Sequence, residues 1–373
     1  MNYPGRVFLT VLLLIVLIAS AVAVEPGMIV AWGSNEYGQC DVPGPNQDFI
    51  AIAGGMWHSL ALRADGSVVA WGGNTSGQCD VPGQDETYTA VAAGAFHSLA
   101  LRADGSIAAW GDNSSGQCGV PEPNTGYTAI AAGFSNSIGL KGDGNITCWG
   151  DNTFGQCTMP GPNLSFAMIG TGAEADHNIA LLSNGTLVVW GVDQAHLYGQ
   201  EIPPEPDACY VDVSRGWYHN IALREDGVIV CFGWNNRGQC DVPGPNSDFV
   251  KVGAGAVHSI GLKSNGSVVS WGENWDSTPV PNEGFTDIAA GTHHNLAIRP
   301  GPSISGIKPG SGVKGTWVKI TNLSGNRFAP GAKVFLSREG YREIAVPNPD
   351  ITPTRISGMF SLACAAEGSW DVI

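Results

Sequence analysis

Six histidines recur at one position of a repeating phrase: His58, His97, His177, His219, His258 and His294. Such a set could do chemistry, because imidazoles ligate metals and exchange protons near neutral pH. Asn136 holds the same position in the remaining unit. An amide donates and accepts much as an imidazole does. The substitution therefore suits a structural bond to backbone, at the start of a strand, better than a ligand set. No CxxC or clustered Cys/His spacing is present, so zinc is not expected.

Other motifs give catalysis no support. Gly310-Ser311-Gly312-Val313-Lys314-Gly315 lacks the Gly-Lys-Ser/Thr of a phosphate loop. There is no Gly-x-Ser-x-Gly elbow, no His-Glu-x-x-His and no complete EF-hand loop. No enzyme activity, catalytic residue, cofactor or metal is expected. The pairs Gly38-Gln39, Gly77-Gln78, Gly116-Gln117, Gly155-Gln156, Gly199-Gln200 and Gly238-Gln239 read as structural, their amides satisfying backbone where units meet. Five cysteines follow such pairs (Cys40, Cys79, Cys118, Cys157, Cys240). They read as small apolar residues, since equivalent positions in neighbouring units lie beyond disulfide reach. Seven Asn-x-Ser/Thr sequons, at Asn74, Asn113, Asn145, Asn163, Asn184, Asn265 and Asn322, could carry glycans, though turns favour the same residues.

The elements that position these residues follow from the period. Trp32, Trp71, Trp110, Trp149, Trp190, Phe232 and Trp271 each precede Gly, with gaps of 39, 39, 39, 41, 42 and 39 residues. A sustained period of this size marks an array of equivalent supersecondary units. Apolar and small or polar residues alternate with the period of strands. Asp65-Gly66 is a two-residue hairpin signal, repeated as Asp104-Gly105, Asp143-Gly144, Asn184-Gly185, Asp226-Gly227 and Asn265-Gly266. Each unit is expected to hold about four short strands, the content of a propeller blade. A front half of the unit occurs seven times, the last at Phe285–Ile298. A back half also occurs seven times, the first at Met28–Val42. The chain thus opens on a back half and closes on a front half, which together can complete one blade and remove open sheet edges.

The phrase Ala-x-Gly-x-x-His-Ser-Leu-Ala-Leu, Asp-Gly-x-Val, Trp-Gly-x-Asn-x-x-Gly-Gln resembles the regulator of chromosome condensation repeat over roughly Met28 to Ile298. The resemblance implies a seven-bladed β-propeller. It brings to mind a nucleotide-exchange factor of a small GTPase docked on chromatin, and exported members that inhibit enzymes such as a β-lactamase. This chain writes Gly-Gln-Cys-Asp-Val-Pro where many members write Gly-Gln-Leu-Gly. Residues 301–373 break the period. Their strand runs between Gly/Pro turns resemble an IPT/TIG immunoglobulin-like β-sandwich, either short or incomplete at Ile373.

The expected fold is all-β. Residues 1–23 form a signal peptide, residues 24–300 a propeller closed by its N- and C-terminal half-blades, and residues 301–373 the sandwich. The apolar run Val7–Ala19 ends in Ala21-Val22-Ala23, a small-x-small cleavage pattern. The rival reading is a retained anchor over Val7–Val24. Either way the protein is expected to be secreted or on the cell surface. A net charge of -15 with no basic run excludes nucleic acid as partner. No membrane contact is expected beyond such an anchor, and the propeller is expected to be monomeric.

Function should sit where the repeat stops repeating. The first and third turns of a blade share one face of the disc. The first turn contributes Trp57, Phe96, Phe134, Trp217, Tyr218 and His293. The third contributes Tyr37, Phe154, Tyr198, Trp234, Arg237 and Trp275, with a longer Asp193–Tyr198 loop. These residues form a candidate binding face for an extracellular protein or glycan. The bland alternative is packing over the channel or between blades. Two other functions stay open: a secreted enzyme inhibitor using the same face, and a lyase or hydrolase in the central channel.

Overall fold

A computed structural model describes residues 26–301, apart from 84–85, 162–163, 171, 174, 192–197, 205–208 and 274–277. Within 303–372 it describes the backbone of seven short strands. The signal-peptide reading of residues 1–23 falls outside the described residues, as do Trp275 and residues 193–197. No helix among the described residues is long and apolar enough to cross a membrane.

The repeat folds as antiparallel three-stranded sheets. The first unit comprises Phe49–Gly54, His58–Arg63 and Val68–Gly72. The second comprises Tyr88–Ala93, His97–Arg102 and Ile107–Gly111. The third comprises Tyr127–Ala132, Asn136–Lys141 and Ile146–Gly150. The fourth, fifth and sixth start at Phe166, Tyr210 and Phe249 and end at Trp190, Gly233 and Gly272. A further trio is composite. Asp287–Ala290 and His294–Pro300 come from the end of the repeat, and the third strand, Gly27–Gly33, comes from its beginning. Gly27–Gly33 pairs with His294–Pro300 in continuous register, from Gly27 opposite Pro300 to Gly33 opposite His294.

Three strands per unit, rather than the four expected, has a visible cause. After the third strand the chain turns at Gly-Gln-Cys, and an asparagine farther on occupies the place of a fourth strand. Asn124 Oδ1 accepts from the Ile107 N–H at 2.8 Å, and its Nδ2 donates to the Ile107 carbonyl at 2.9 Å. Asn46, Asn246 and Asn282 do the same for Ile29, Ile229 and Val268. One side chain thus satisfies both backbone groups at the open strand edge, where they would otherwise go unpaired.

The hairpin turns also differ from the expected type. Among the described residues, positive φ falls on the glycine (Gly66, 85°) and not on Asp65. Gly66 N–H donates to the Arg63 carbonyl, while Asp65 Oδ1 accepts from the Ser67 N–H at 2.9 Å. This is a type I turn closed by a left-handed glycine, the three-residue form of hairpin. Asn184 and Asn265 bind the residues two ahead in the same way. Two sequons are therefore turn chemistry.

The core lies between sheets. Leu60 and Leu62 of the first unit pack with Tyr88, Ala100 and Trp110 of the second. Ile29, Leu296 and Ile298 of the composite trio pack with Phe49, Ile52 and Trp71 of the first. On its other side the composite trio packs Trp32, Ile288 and Ala297 against Ile260 and Leu262 of the sixth. Each sheet is thus buried on both faces, as sheets packed through side-chain layers require.

In the tail, Ser303–Lys308, Trp317–Asn326, Arg355–Ser361 and Asp350–Thr352 form one sheet in that spatial order. Ile344–Ala345, Phe335–Ser337 and Asp371–Val372 form a second.

Candidate functional site

The histidines fix the geometry from which the candidate face is built. Each is buried, and its Nε2 meets a side chain of the following unit rather than backbone, which corrects the expected partner. His58 meets Ser98 Oγ at 3.0 Å, His97 meets Ser137 at 2.9 Å and His219 meets Ser259 at 3.0 Å. His177 and His258 meet the amide oxygens of Asn220 and Asn295 at 2.9 Å. Asn136 donates to Asn178 Oδ1, and His294 returns to Ser59 of the first unit at 2.9 Å. Burial pushes His58, His219 and His294 down to about 3, and His97, His177 and His258 down to about 4. At neutral pH they are uncharged hydrogen-bond groups.

Glycine makes room for these rings. A methyl on Gly94 would run into the His97 imidazole and lie 2.7 Å from the Gly133 carbonyl oxygen. At the Asn136–Asn178 link the ring is reinforced by Arg215, which is fully buried and donates through Nη1 to Asn178 Oδ1 and the His177 carbonyl. Its counterparts at the ends of five other first strands are Gly54, Ala93, Ala132, Ala254 and Ala290. Sequence reasoning missed it, although a lone Arg in a column of Gly and Ala is a readable signal.

The Gly-Gln pairs divide their work. Gln39 Oε1 accepts from the Tyr37 N–H at 2.9 Å, and Gln78, Gln117, Gln156, Gln200 and Gln239 hold their own turns likewise. The link between units comes instead from the glutamine's main-chain carbonyl. Gln39 O accepts from Trp71 Nε1 and from Ser59 Oγ, both at 2.9 Å. The same carbonyl receives Trp110, Trp149, Trp190 and Trp271 in later units. The sixth unit has no Gly-Gln pair, and in the composite trio that follows it Trp32 Nε1 and Asn295 Nδ2 are buried without a hydrogen-bond partner among the described residues.

These bonds set the first and third turns side by side. Gly73 N–H donates to the Trp57 carbonyl at 2.7 Å, Asp112 to Phe96 at 2.9 Å and Trp234 to Tyr218 at 2.8 Å. The candidate aromatics then gather into two groups. In one, Tyr37 stacks on Trp57 with ring centroids 4.6 Å apart. Trp57 meets Phe96 edge-on at 5.1 Å, and Phe96 meets Phe134 at 6.3 Å. In the other, Trp217 stacks on Tyr218 at 5.0 Å, and Trp234 meets Trp217 at 6.5 Å and Tyr218 at 6.2 Å. Tyr198 joins them, 5.4 Å from Tyr218. All these separations are within the range of favourable ring contacts.

Tyr37 (44%), Tyr198 (42%), Trp217 (40%) and Phe154 (38%) are exposed, so mutual packing does not consume the groups. Arg237 forms an exposed ion pair with Glu273 at 3.0 Å. His293 is half-buried, and its pKa is lowered by that burial against the opposing charges of Glu273 and Glu36. Glu36 and Glu273 were not foreseen, although each sits in a third turn beside a candidate residue. The described residues include no cluster of three or more His, Cys, Asp or Glu side chains suited to a metal.

One cysteine reading is overturned. Cys157 is joined to Cys148, within one unit, as a disulfide. The expectation compared equivalent positions across units and overlooked Cys148, which stands just before Trp149 on the adjacent strand.

Residues 49–78, 88–117, 127–156, 210–239 and 249–274 match the Regulator of chromosome condensation (RCC1) repeat. Five stretches of the chain thus carry the RCC1 repeat pattern. Solved structures agree in fold. Human WBSCR16 superposes with a TM-score of 0.59 at 16% identity, over 74% of this chain and 99% of that one. Prp20p from Saccharomyces cerevisiae gives 0.61 at 18% identity, over 74% and 91%. The CRINKLY WD40 ectodomain of the Arabidopsis thaliana receptor kinase ACR4 gives 0.54 at 22% identity, over 66% and 87%. No curated protein matches the sequence. The repeats in this chain therefore fold as an RCC1-type propeller.

Proposed function

We propose that this is an exported, non-enzymatic binding protein whose RCC1-type propeller presents its aromatic face to an extracellular protein. The reading takes residues 24–300 as seven blades. Its support is the sequence of side-chain links from His58 to Ser98 onward, in which His294 returns to Ser59, together with the pairing of Gly27–Gly33 and His294–Pro300. Residues 1–23 act as the export signal. Residues 301–373 form the IPT/TIG-like module, a reading supported by their two antiparallel sheets.

One observation carries the function. Two aromatic groups stand on neighbouring turns, and each opens large rings to solvent, Tyr37 in one and Tyr198 and Trp217 in the other. Rigid, half-exposed Trp and Tyr supply much of the energy in protein interfaces, at low cost in side-chain entropy. The glutamates at the Arg237 and His293 edge supply a polar rim.

The test uses two probe sets, proteins from the culture fluid and a printed glycan array. Wild type is expected to retain a protein partner. Trp57→Ala and Trp217→Ala should weaken that binding at least about tenfold, while Val250→Ala should leave it unchanged. Retention on the glycan array alone would replace the protein with a carbohydrate. Equal binding by both tryptophan variants would remove the face from the account.

A further inference from the structure

The Gly-Gln-Cys turns share a sulfur contact whose variation singles out one unit. Where alanine stands nine residues before the cysteine (Ala31, Ala70, Ala109), the thiol points to the carbonyl at the end of the third strand. Cys40 Sγ lies 3.3 Å from Ser34 O, Cys79 3.4 Å from Gly73 O and Cys118 3.1 Å from Asp112 O. In the third unit Cys148 replaces that alanine, and Cys157 is bonded to it.

The fifth unit carries the same pair at the same spacing, Cys231 and Cys240, both as free thiols. Cys231 stands before Phe232 as Cys148 stands before Trp149. Its Sγ lies 3.4 Å from the Gln239 carbonyl, just as Cys148 Sγ lies 3.4 Å from that of Gln156. Cys240 Sγ lies 3.8 Å from its strand-end carbonyl, Trp234 O, and the pKa of the Cys231 thiol is held up by burial and, after that, by the neighbouring Cys240 thiol. The pair repeats the spacing and the carbonyl contact of the bonded one without the bond.

We propose that Cys231 and Cys240 form a second disulfide, closed by exchange with an external disulfide such as oxidised glutathione. The Cys240 thiolate attacks that disulfide, forming a mixed disulfide and releasing one thiolate. The Cys231 thiolate then attacks the Cys240 sulfur and releases the second. The two protein thiols are oxidised, the external disulfide is reduced to two thiols, and the two protons lost by the protein pass to the departing sulfurs. The bond would tie the strand ending in Phe232-Gly233 to the turn that bears Trp234 and Arg237. It would therefore fix one of the two aromatic groups as Cys148–Cys157 fixes the turn of Phe154.

The experiment starts from fully reduced wild-type protein, adds oxidised glutathione, blocks remaining thiols by alkylation and maps peptides by mass spectrometry. The Cys231 and Cys240 peptides are expected joined and two hydrogens lighter, while Cys40, Cys79 and Cys118 stay alkylated. Cys231→Ala should leave glutathione on Cys240, because the resolving thiol is gone. Wild-type Cys231 and Cys240 alkylated as fully as Cys79, in a sample where Cys148 and Cys157 are joined, would overturn the proposal. So would glutathione persisting on wild-type Cys240.

Discussion

The inner ring and the turn face of this propeller are built from the same repeat yet obey opposite rules. In the ring, unit after unit places a buried His against a Ser or Asn of its neighbour. On the face, the residue just before that His changes freely: Trp57, Phe96, Ser135, Asp176, Tyr218, Val257 and His293. One residue step separates a position held by packing from one that packing leaves open. A strand turns successive side chains to opposite sides, which allows this. The ring stabilises the scaffold, and the face position is left free of that constraint.

Acid should strike the ring hardest. The six buried histidines have folded-state values pushed down to about 3 or 4. The unfolded chain takes up protons from about pH 6.5 downward, so stability present above that pH is lost as pH falls toward the folded values. Each imidazole contributes about 1.4 kcal/mol per pH unit in that window. Six such groups together make the loss between pH 6.5 and pH 5 about 10 kcal/mol, comparable to the whole stability of a domain, so the urea midpoint at pH 5 should fall far below that at pH 7.5. A flat profile would mean the rings are not buried as neutral groups.

Gly94→Ala comes next, at about 3 kcal/mol, because the methyl meets both the His97 ring and the Gly133 carbonyl. Gly116→Ala, on a face turn with open space around it, should cost only about 1 kcal/mol for its positive φ. Loss of the disulfide by Cys148→Ala should cost about 2 kcal/mol, from freeing a short loop in the unfolded chain. Denaturation with and without reductant separates that cost from packing. Smallest is Arg237→Ala, whose exposed pair with Glu273 should change stability by less than about 0.5 kcal/mol.

How far the sequence foretold this depends on the kind of interaction. Repeated residues were legible because the same environment selected them in each unit: His, Gln, Trp-Gly and the turn glycines all proved structural. Partners were less legible, because contacts between units lie about 40 residues apart and reach side chains, as with His97 and Ser137. The missing fourth strand was hidden for a similar reason. An ordinary loop residue, Asn124, does by hydrogen bonding what a strand would do. Cys148 was passed over because only two units, at Cys148 and Cys231, carry cysteine at a position that Ala, Val or Ser fills elsewhere, and Arg215 was missed because no other unit repeats it. The face residues were listable from sequence, but their division into two stacked groups needed coordinates.

The central claim is that the aromatic face binds while the ring only supports it. The most direct measurement compares Trp217→Ala with Ser137→Ala against the protein partner retained by wild type, recording affinity and urea stability on the same samples. Trp217→Ala should lose about tenfold or more in affinity with a stability change near 1 kcal/mol. Ser137→Ala, which removes the His97 partner, should lose stability and keep the affinity of the folded fraction. Unchanged affinity in Trp217→Ala, or a loss confined to Ser137→Ala, would contradict the account.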